Sequence, residues 1–188
     1  MMSAKTLNLA AILFFVALPG GTRGETPMAD EYEIKAAMLA NVFKLVDWPA
    51  SKSGDLSAPF VIGVAGSEDM ETALGKTVAK MAGRKTPAGH AIVIRKISGA
   101  GGIDQYHAIF IGGSDRKRLQ TIIQAVGTQP VLTIGESDKF TSLGGMVGLM
   151  VKDDRVQVEV NLPAAQSAGL SISSRLLRIA TVIGGGGS

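Results

Sequence analysis

Four short apolar runs rich in β-branched residues, separated by stretches with a helical period, constrain this chain more than any other feature. They are Phe60–Ala65 (FVIGVA), Ala91–Ile94 (AIVI), His107–Ile111 (HAIFI) and Val131–Ile134 (VLTI). Runs of this length and kind suit strands covered on both faces, as in a parallel sheet. Helical stretches lie near Asp69–Met81 and Asp115–Val126, with a shorter crossover around Ile103–Tyr106. Strand alternating with helix predicts a parallel core with right-handed crossovers. The rhythm then changes. Met146–Val151 and Val156–Val160 flank the polar turn Lys152-Asp153-Asp154-Arg155, the pattern of an antiparallel hairpin. The expected fold is therefore one α/β domain with a mixed, mainly parallel sheet flanked by helices, ending in an antiparallel hairpin and a C-terminal helix.

That last helix is expected from Ile172, Leu176, Ile179, Ala180 and Ile183 along one side, with Ser171, Ser173 and Ser174 available as N-cap. An opening helix is expected from Ile34, Ala37, Met38, Asn41, Val42 and Leu45, stopped by Pro49. This spacing places Asn41 on the apolar side, where an amide costs free energy unless bonded, so Asn41 is expected to tie the helix to a neighbour.

The ends read differently. Residues 1–24 combine a weakly basic lead, the apolar segment Leu7–Leu18 and a small-residue exit, which is the order of a secretory signal peptide with cleavage near Gly24. Gly184 to Ser188 has the composition of a flexible tail. The folded domain is accordingly assigned to residues 25–183, outside the cytoplasm. With 188 residues, 46% hydrophobic and 19% charged, the chain has the composition of a globular domain rather than a disordered one. The basic residues are scattered, and the formal charge is only +3, which argues against a nucleic-acid partner. Absence of cysteine excludes disulfides, thiolate metal sites and cysteine nucleophiles, and two histidines leave little for a metal centre.

No catalytic, cofactor or metal residues are assigned. The turns Gly63-Val64-Ala65-Gly66-Ser67-Glu68 and Gly112-Gly113-Ser114-Asp115 could present backbone N–H groups to an anion, but tight turns with Ser114 or Asp115 as helix cap account for them better. His90 and His107 lack a nucleophile elbow, and nothing sets the separation of Asp47 and Glu159. Four residues are candidates for partner binding: Trp48, Asn161, Arg175 and Arg178. Trp48, the single tryptophan, suits either packing or an interface anchor. Asn161 before Pro163 reads first as a helix cap, and the two arginines flank the apolar side of the last helix.

Three blocks carry a family resemblance. Tyr32–Pro49 (YEIKAAMLANVFKLVDWP), Gly144–Val147 with Val158–Asn161, and Gly169–Ala180 (GLSISSRLLRIA) resemble the YfiR family of exported bacterial proteins in order and separation. The resemblance implies a periplasmic regulator without chemistry of its own. Such a protein binds the periplasmic region of a membrane diguanylate cyclase (YfiN-like) and lowers cyclic-di-GMP, until an OmpA-like outer-membrane lipoprotein (YfiB-like) sequesters it. Self-association as a homodimer stays open. The alternative from the fold pattern is a periplasmic small-molecule binder that uses the carboxyl ends of the parallel strands. Redox control through disulfides cannot operate in a chain without cysteine.

Overall fold

A computed structural model describes residues 28–184 apart from 56, 81–84, 87–88, 114 and 153–154. The expected signal peptide, the last four residues of the tail, Ser114 and the tip of the hairpin lie outside the described residues. The apolar runs form the sheet. Helix α1 (Met28–Val42) leads through a short 3-10 turn into β1 (Val46–Asp47) and the one-turn helix α2 (Ala50–Ser53). Strand β2 (Phe60–Ala65) is buried at all six positions. It is followed by α3 (Glu68–Lys80), β3 (Ile92–Lys96), a single 3-10 turn at Ile103–Gln105, β4 (Ala108–Ile111), α4 (Arg116–Val126) and β5 (Leu132–Gly135). The hairpin is β6 (Val147–Lys152) with β7 (Arg155–Asn161), and the chain ends in α5 (Leu162–Ser167), β8 (Ser171–Ile172), α6 (Ser174–Leu177) and β9 (Thr181–Ile183).

The main sheet has the order β3-β2-β4-β5-β6-β7-β9. Strands β3 to β6 run parallel with β2, β6 and β7 are antiparallel from Val147↔Val160 to Lys152↔Arg155, and β9 returns parallel to β7. The order of the first five sheet strands is that of doubly wound folds, in which it reverses between β2 and β4. The core is continuous across the sheet, with Phe110, Ile62, Ile109, Leu132 and Ile134 among its fully buried side chains.

Two expectations are corrected. The buried face of α1 is Lys35, Ala36, Leu39 and Val42, continued by Val46, while Ile34 is 52% exposed and Asn41 is exposed as well. Lys35 is the cause. A lysine at a core-facing position breaks the apolar period, and the spacing then selects a face rotated by about one residue, roughly 100°. Asn41 ties nothing to the core. Its Oδ1 accepts only a long bond from Lys44 Nζ, 3.4 Å away.

The long C-terminal helix is replaced by one turn between two short strands. Ser173 does cap that turn, accepting from Arg175 N. Ile172 instead pairs with Val46 and Ser171 with Asp47, joining β8 to β1 in a separate antiparallel ribbon. Thr181-Val182-Ile183 pairs along β7. Three β-branched residues beside an open sheet edge gain ladder bonds there that a helical end cannot offer, so tertiary pairing overrides the helical spacing.

The corrected face has a measurable consequence. Asn41→Leu changes stability by less than about 0.5 kcal/mol, because the site is exposed, whereas Leu39→Ala, at 0% exposure, costs about 2 to 5 kcal/mol. Denaturant unfolding of the two variants separates the expected face from the observed one.

Candidate functional site

In sheets of this order ligands sit beyond the carboxyl ends of the strands, near the reversal of strand order. Here that reversal lies between Gly66-Ser67, after β2, and Gly112-Gly113, after β4. Both turns serve helix starts. Ser67 Oγ accepts from Met70 N at 3.1 Å, and Asp115 Oδ1 accepts from Arg118 N at 3.0 Å, so Asp115 is the cap of α4. Gly66 has φ +77°, and a Cβ there would collide with the Arg118 guanidinium and the Gly112 carbonyl. The crevice at the reversal is thus closed from one side by α4's own arginine.

From the other side it is closed by α1. Glu136, the first residue after β5, accepts from Tyr32 Oη at 3.0 Å and from Gly113 N at 3.2 Å through Oε1, and from Lys35 Nζ at 2.6 Å through Oε2. Lys35 is 4% exposed and also pairs with Glu31, one helical turn back, at 2.5 Å. Burial disfavours the Lys35 ammonium, but the bonds to Glu136 and Glu31 outweigh it and raise its pKa above the ordinary lysine value. Burial also raises Tyr32, and the neighbouring Glu136 adds to that.

Beside this clamp a charged cavity of about 530 Å³ opens, lined by Gly113, Arg116, Leu119, Glu136, Ser137, Asp138, Lys139 and Leu143. The Ser137 hydroxyl is buried there and has no hydrogen-bond partner among the described residues. Sequence reasoning missed the clamp. Its only signal was a lysine set between Ile34 and Ala36 on an otherwise apolar helix and a glutamate directly after a buried strand.

The four partner-binding candidates are not one cluster. Trp48 follows β1 and is half-buried; its Nε1 donates to His107 O at 2.9 Å, and its ring meets Phe60 edge-on at 5.0 Å and 88°. A smaller cavity of about 170 Å³ lies beside it, lined among others by Phe43, Lys44, Asp47 and His90. Arg175 and Arg178 leave the β1–β8 ribbon at its other end, where Ser173 N donates to Leu45 O. Both are exposed, with no ion pair among the described residues, and next to them Ile179 is 72% exposed. Asn161 caps α5 through Ala164 N at 3.1 Å and donates from Nδ2 to Thr141 O at 2.9 Å, so both ends of its amide are bonded inside the chain.

Residues 32–181 match the protein family described as YfiR/HmsC-like. The chain belongs to the YfiR/HmsC-like family. Members of this YfiR/HmsC-like group are periplasmic and regulatory rather than catalytic, and they act in diguanylate-cyclase signalling, generally with a cyclase as partner. Among the described residues no helix is long and apolar enough to cross a membrane. Two solved structures share the fold. One is the ABC domain in complex with L-Trp from Streptococcus pneumoniae, at TM-score 0.51 and 13% identity, covering 79% of this chain and 60% of that one. The other is a conserved domain protein from Vibrio cholerae, also at TM-score 0.51 and 13% identity, covering 80% and 59%. This YfiR/HmsC-like chain therefore spans about three fifths of the length of each.

The Glu136 clamp makes two predictions. Removing the carboxylate leaves a buried ammonium with one partner fewer, so Glu136→Ala lowers unfolding free energy by about 3 kcal/mol. The folded-state pKa of Lys35 is raised, so its stabilisation is complete below the unfolded value of 10.5 and is lost as pH climbs through the folded value. Unfolding curves in the alkaline range should fall more steeply for the native chain than for Lys35→Met. Equal slopes would contradict the clamp.

Proposed function

We propose that this protein represses a membrane diguanylate cyclase by binding its periplasmic portion, and that an outer-membrane lipoprotein relieves the repression by sequestering it. The observation that carries the reading is the family match from Tyr32 to Thr181, which spans the sheet and both terminal blocks. The clamp supports it: at the reversal of strand order, where related folds hold a ligand, Tyr32, Lys35 and Glu136 bond to one another and Arg118 lies against Gly66. Action then runs through surface contacts. Arg175, Arg178 and the exposed Ile179 are a basic and apolar patch suited to an acidic partner surface, and Trp48 is a second contact point at the other end of the β1–β8 ribbon. Asn161 contributes by shaping the turn into α5.

A repressor must bind the inactive cyclase more tightly than the active one, because equal affinity for both shifts no population. The alternative, a small-molecule binder, is favoured by one observation: the cavity of about 530 Å³ next to Glu136 with an unpartnered Ser137 hydroxyl.

Deleting the gene is expected to raise cyclic-di-GMP and biofilm in the host, and the mature protein is expected to retain a cyclase from solubilised membranes. Arg178→Glu weakens that retention without altering thermal unfolding, since the side chain is exposed. Unchanged cyclic-di-GMP together with no retained cyclase would reject repression and leave the cavity as the functional site.

A further inference from the structure

Two histidines sit at the amino ends of the strands, opposite the Glu136 clamp, and both are buried: His90 is 3% exposed and His107 is 6% exposed. Their rings lie 6.5 Å apart, and both reach to α2 and the turn that follows it. The bonding of the two rings differs. His107 Nδ1 accepts from Val61 N at 3.1 Å, and Nε2 faces Lys52 O at 3.1 Å. A backbone N–H can only donate and a carbonyl can only accept, so His107 is the neutral tautomer with its proton on Nε2. His90 Nδ1 faces Ala58 O at 3.0 Å and Nε2 faces Ser53 O at 3.1 Å. Two carbonyl partners are both satisfied only by a ring carrying two protons.

We propose that α2 is a pH-sensitive strap whose tie at Lys52 O is released when His107 takes up a proton, while His90 keeps its hold on Ser53 O and Ala58 O. A proton on Nδ1 would point at the Val61 N–H, donor against donor, on a buried ring. The ring must then leave Val61, and the bond to Lys52 O that holds the strap goes with it. The effect reaches Trp48, because its indole bonds to the His107 carbonyl and Phe60 touches both rings, edge-on to the indole and stacked 4.6 Å from the imidazole.

The surroundings favour the neutral ring at ordinary pH. Burial is the main cause of the lowered His107 pKa, with Lys52 and His90 adding positive charge nearby, while its bond to the Lys52 carbonyl opposes them. The other charged groups facing the pair are Asp55 just after the strap, Lys44 and Asp47 beside the smaller cavity, and Asp104, whose carbonyl accepts from Lys52 Nζ. Carboxylates and amines as classes do not change charge between about pH 5 and 8, whereas histidine does. The folded pKa lies below the unfolded value of 6.5, so the His107 contribution is complete above 6.5 and is lost as the pH falls towards the folded value. Acid releases the tie at Lys52 O, and the ties of His90 to Ser53 O and Ala58 O remain. This property belongs to the chain itself and does not depend on the cyclase reading.

The single tryptophan reports on it. Emission of Trp48 in the full-length protein, followed from about pH 8 to pH 5, is expected to show a reversible transition with a midpoint below 6.5. That midpoint should coincide with the titration of His107 seen in imidazole ¹⁵N shifts. His107→Gln, whose amide can accept from Val61 and donate to Lys52 at any pH, should abolish the transition, and His90→Gln should shift it without abolishing it. A flat emission profile while His107 titrates would overturn the proposal, as would an unchanged transition in His107→Gln. Should His107→Gln fail to fold, the native ¹⁵N spectrum decides. A proton on Nδ1 at neutral pH, or a His107 that stays neutral down to about pH 5, would equally overturn it.

Discussion

Glu136 gathers a phenol and an ammonium from α1 and a backbone amide from the turn after β4, and the placement of α1 depends on that convergence. Without it, α1 would have to bury Lys35 with only the partly exposed Glu31 as partner, which a helix avoids by rotating or detaching. With it, Ala36, Leu39 and Val42 point at the sheet and α3, and the helix closes one side of the reversal of strand order, beside the cavity that stays open at Gly113 and Glu136. The carboxylate is itself held by position. It follows β5 directly, and β5 is fixed between β4 and β6 by parallel ladders on both sides.

This closure separates the fold from its function. Doubly wound sheets supply a crevice at the reversal of strand order, and two distant structural relatives show that the scaffold is shared with much longer chains. In this chain side chains from α1 and α4 flank that reversal, and the cavity that remains lies to one side of it, beside Glu136. What remains outward-facing is the ribbon of β1 and β8, the turn of α6 and the short edge strand β9, with Arg175, Arg178, Ile179 and Val182 exposed along it. An exposed edge strand and isolated apolar side chains are features that soluble proteins keep short, as β9 is here.

The parallel core was legible in the sequence because β2, β4 and β5 are buried at every position and answer to burial alone, while the edge strand β3 still keeps an apolar, β-branched start. The hairpin was legible because its polar turn interrupts two apolar runs. Where a residue answered to a distant partner, local spacing misled. Lys35 lies outside the apolar face that local spacing selects, and the partner that lets it be buried, Glu136, is 101 positions away. Asn41 looked buried for the same reason. Ile172 and Ile183 fitted a helical period, yet their partners are Val46 and Asn161, one on each of two different sheets. The family resemblance was carried by the terminal blocks, and these are the blocks that pair: Val46 with Ile172 and Leu45 with Ser173. Spacing recorded that the blocks exist, and only the fold records that they meet.

The two ends of the sheet are joined by α1 and its continuation. The helix begins beside Tyr32 and Lys35 at the Glu136 clamp, and its 3-10 extension brings Phe43 to 5.7 Å from Phe60, the ring on which Trp48 and His107 also pack. A helix of 15 residues is about 22 Å long, enough to reach from one end of the strands to the other. The Phe60 ring is the shared contact of the 3-10 extension, Trp48 and His107, so a displacement of the His107 ring is felt first at Trp48, where the β1–β8 ribbon begins. A partner on that ribbon would respond only if it binds the two arrangements with different affinity, since a contact equal in both states moves neither population.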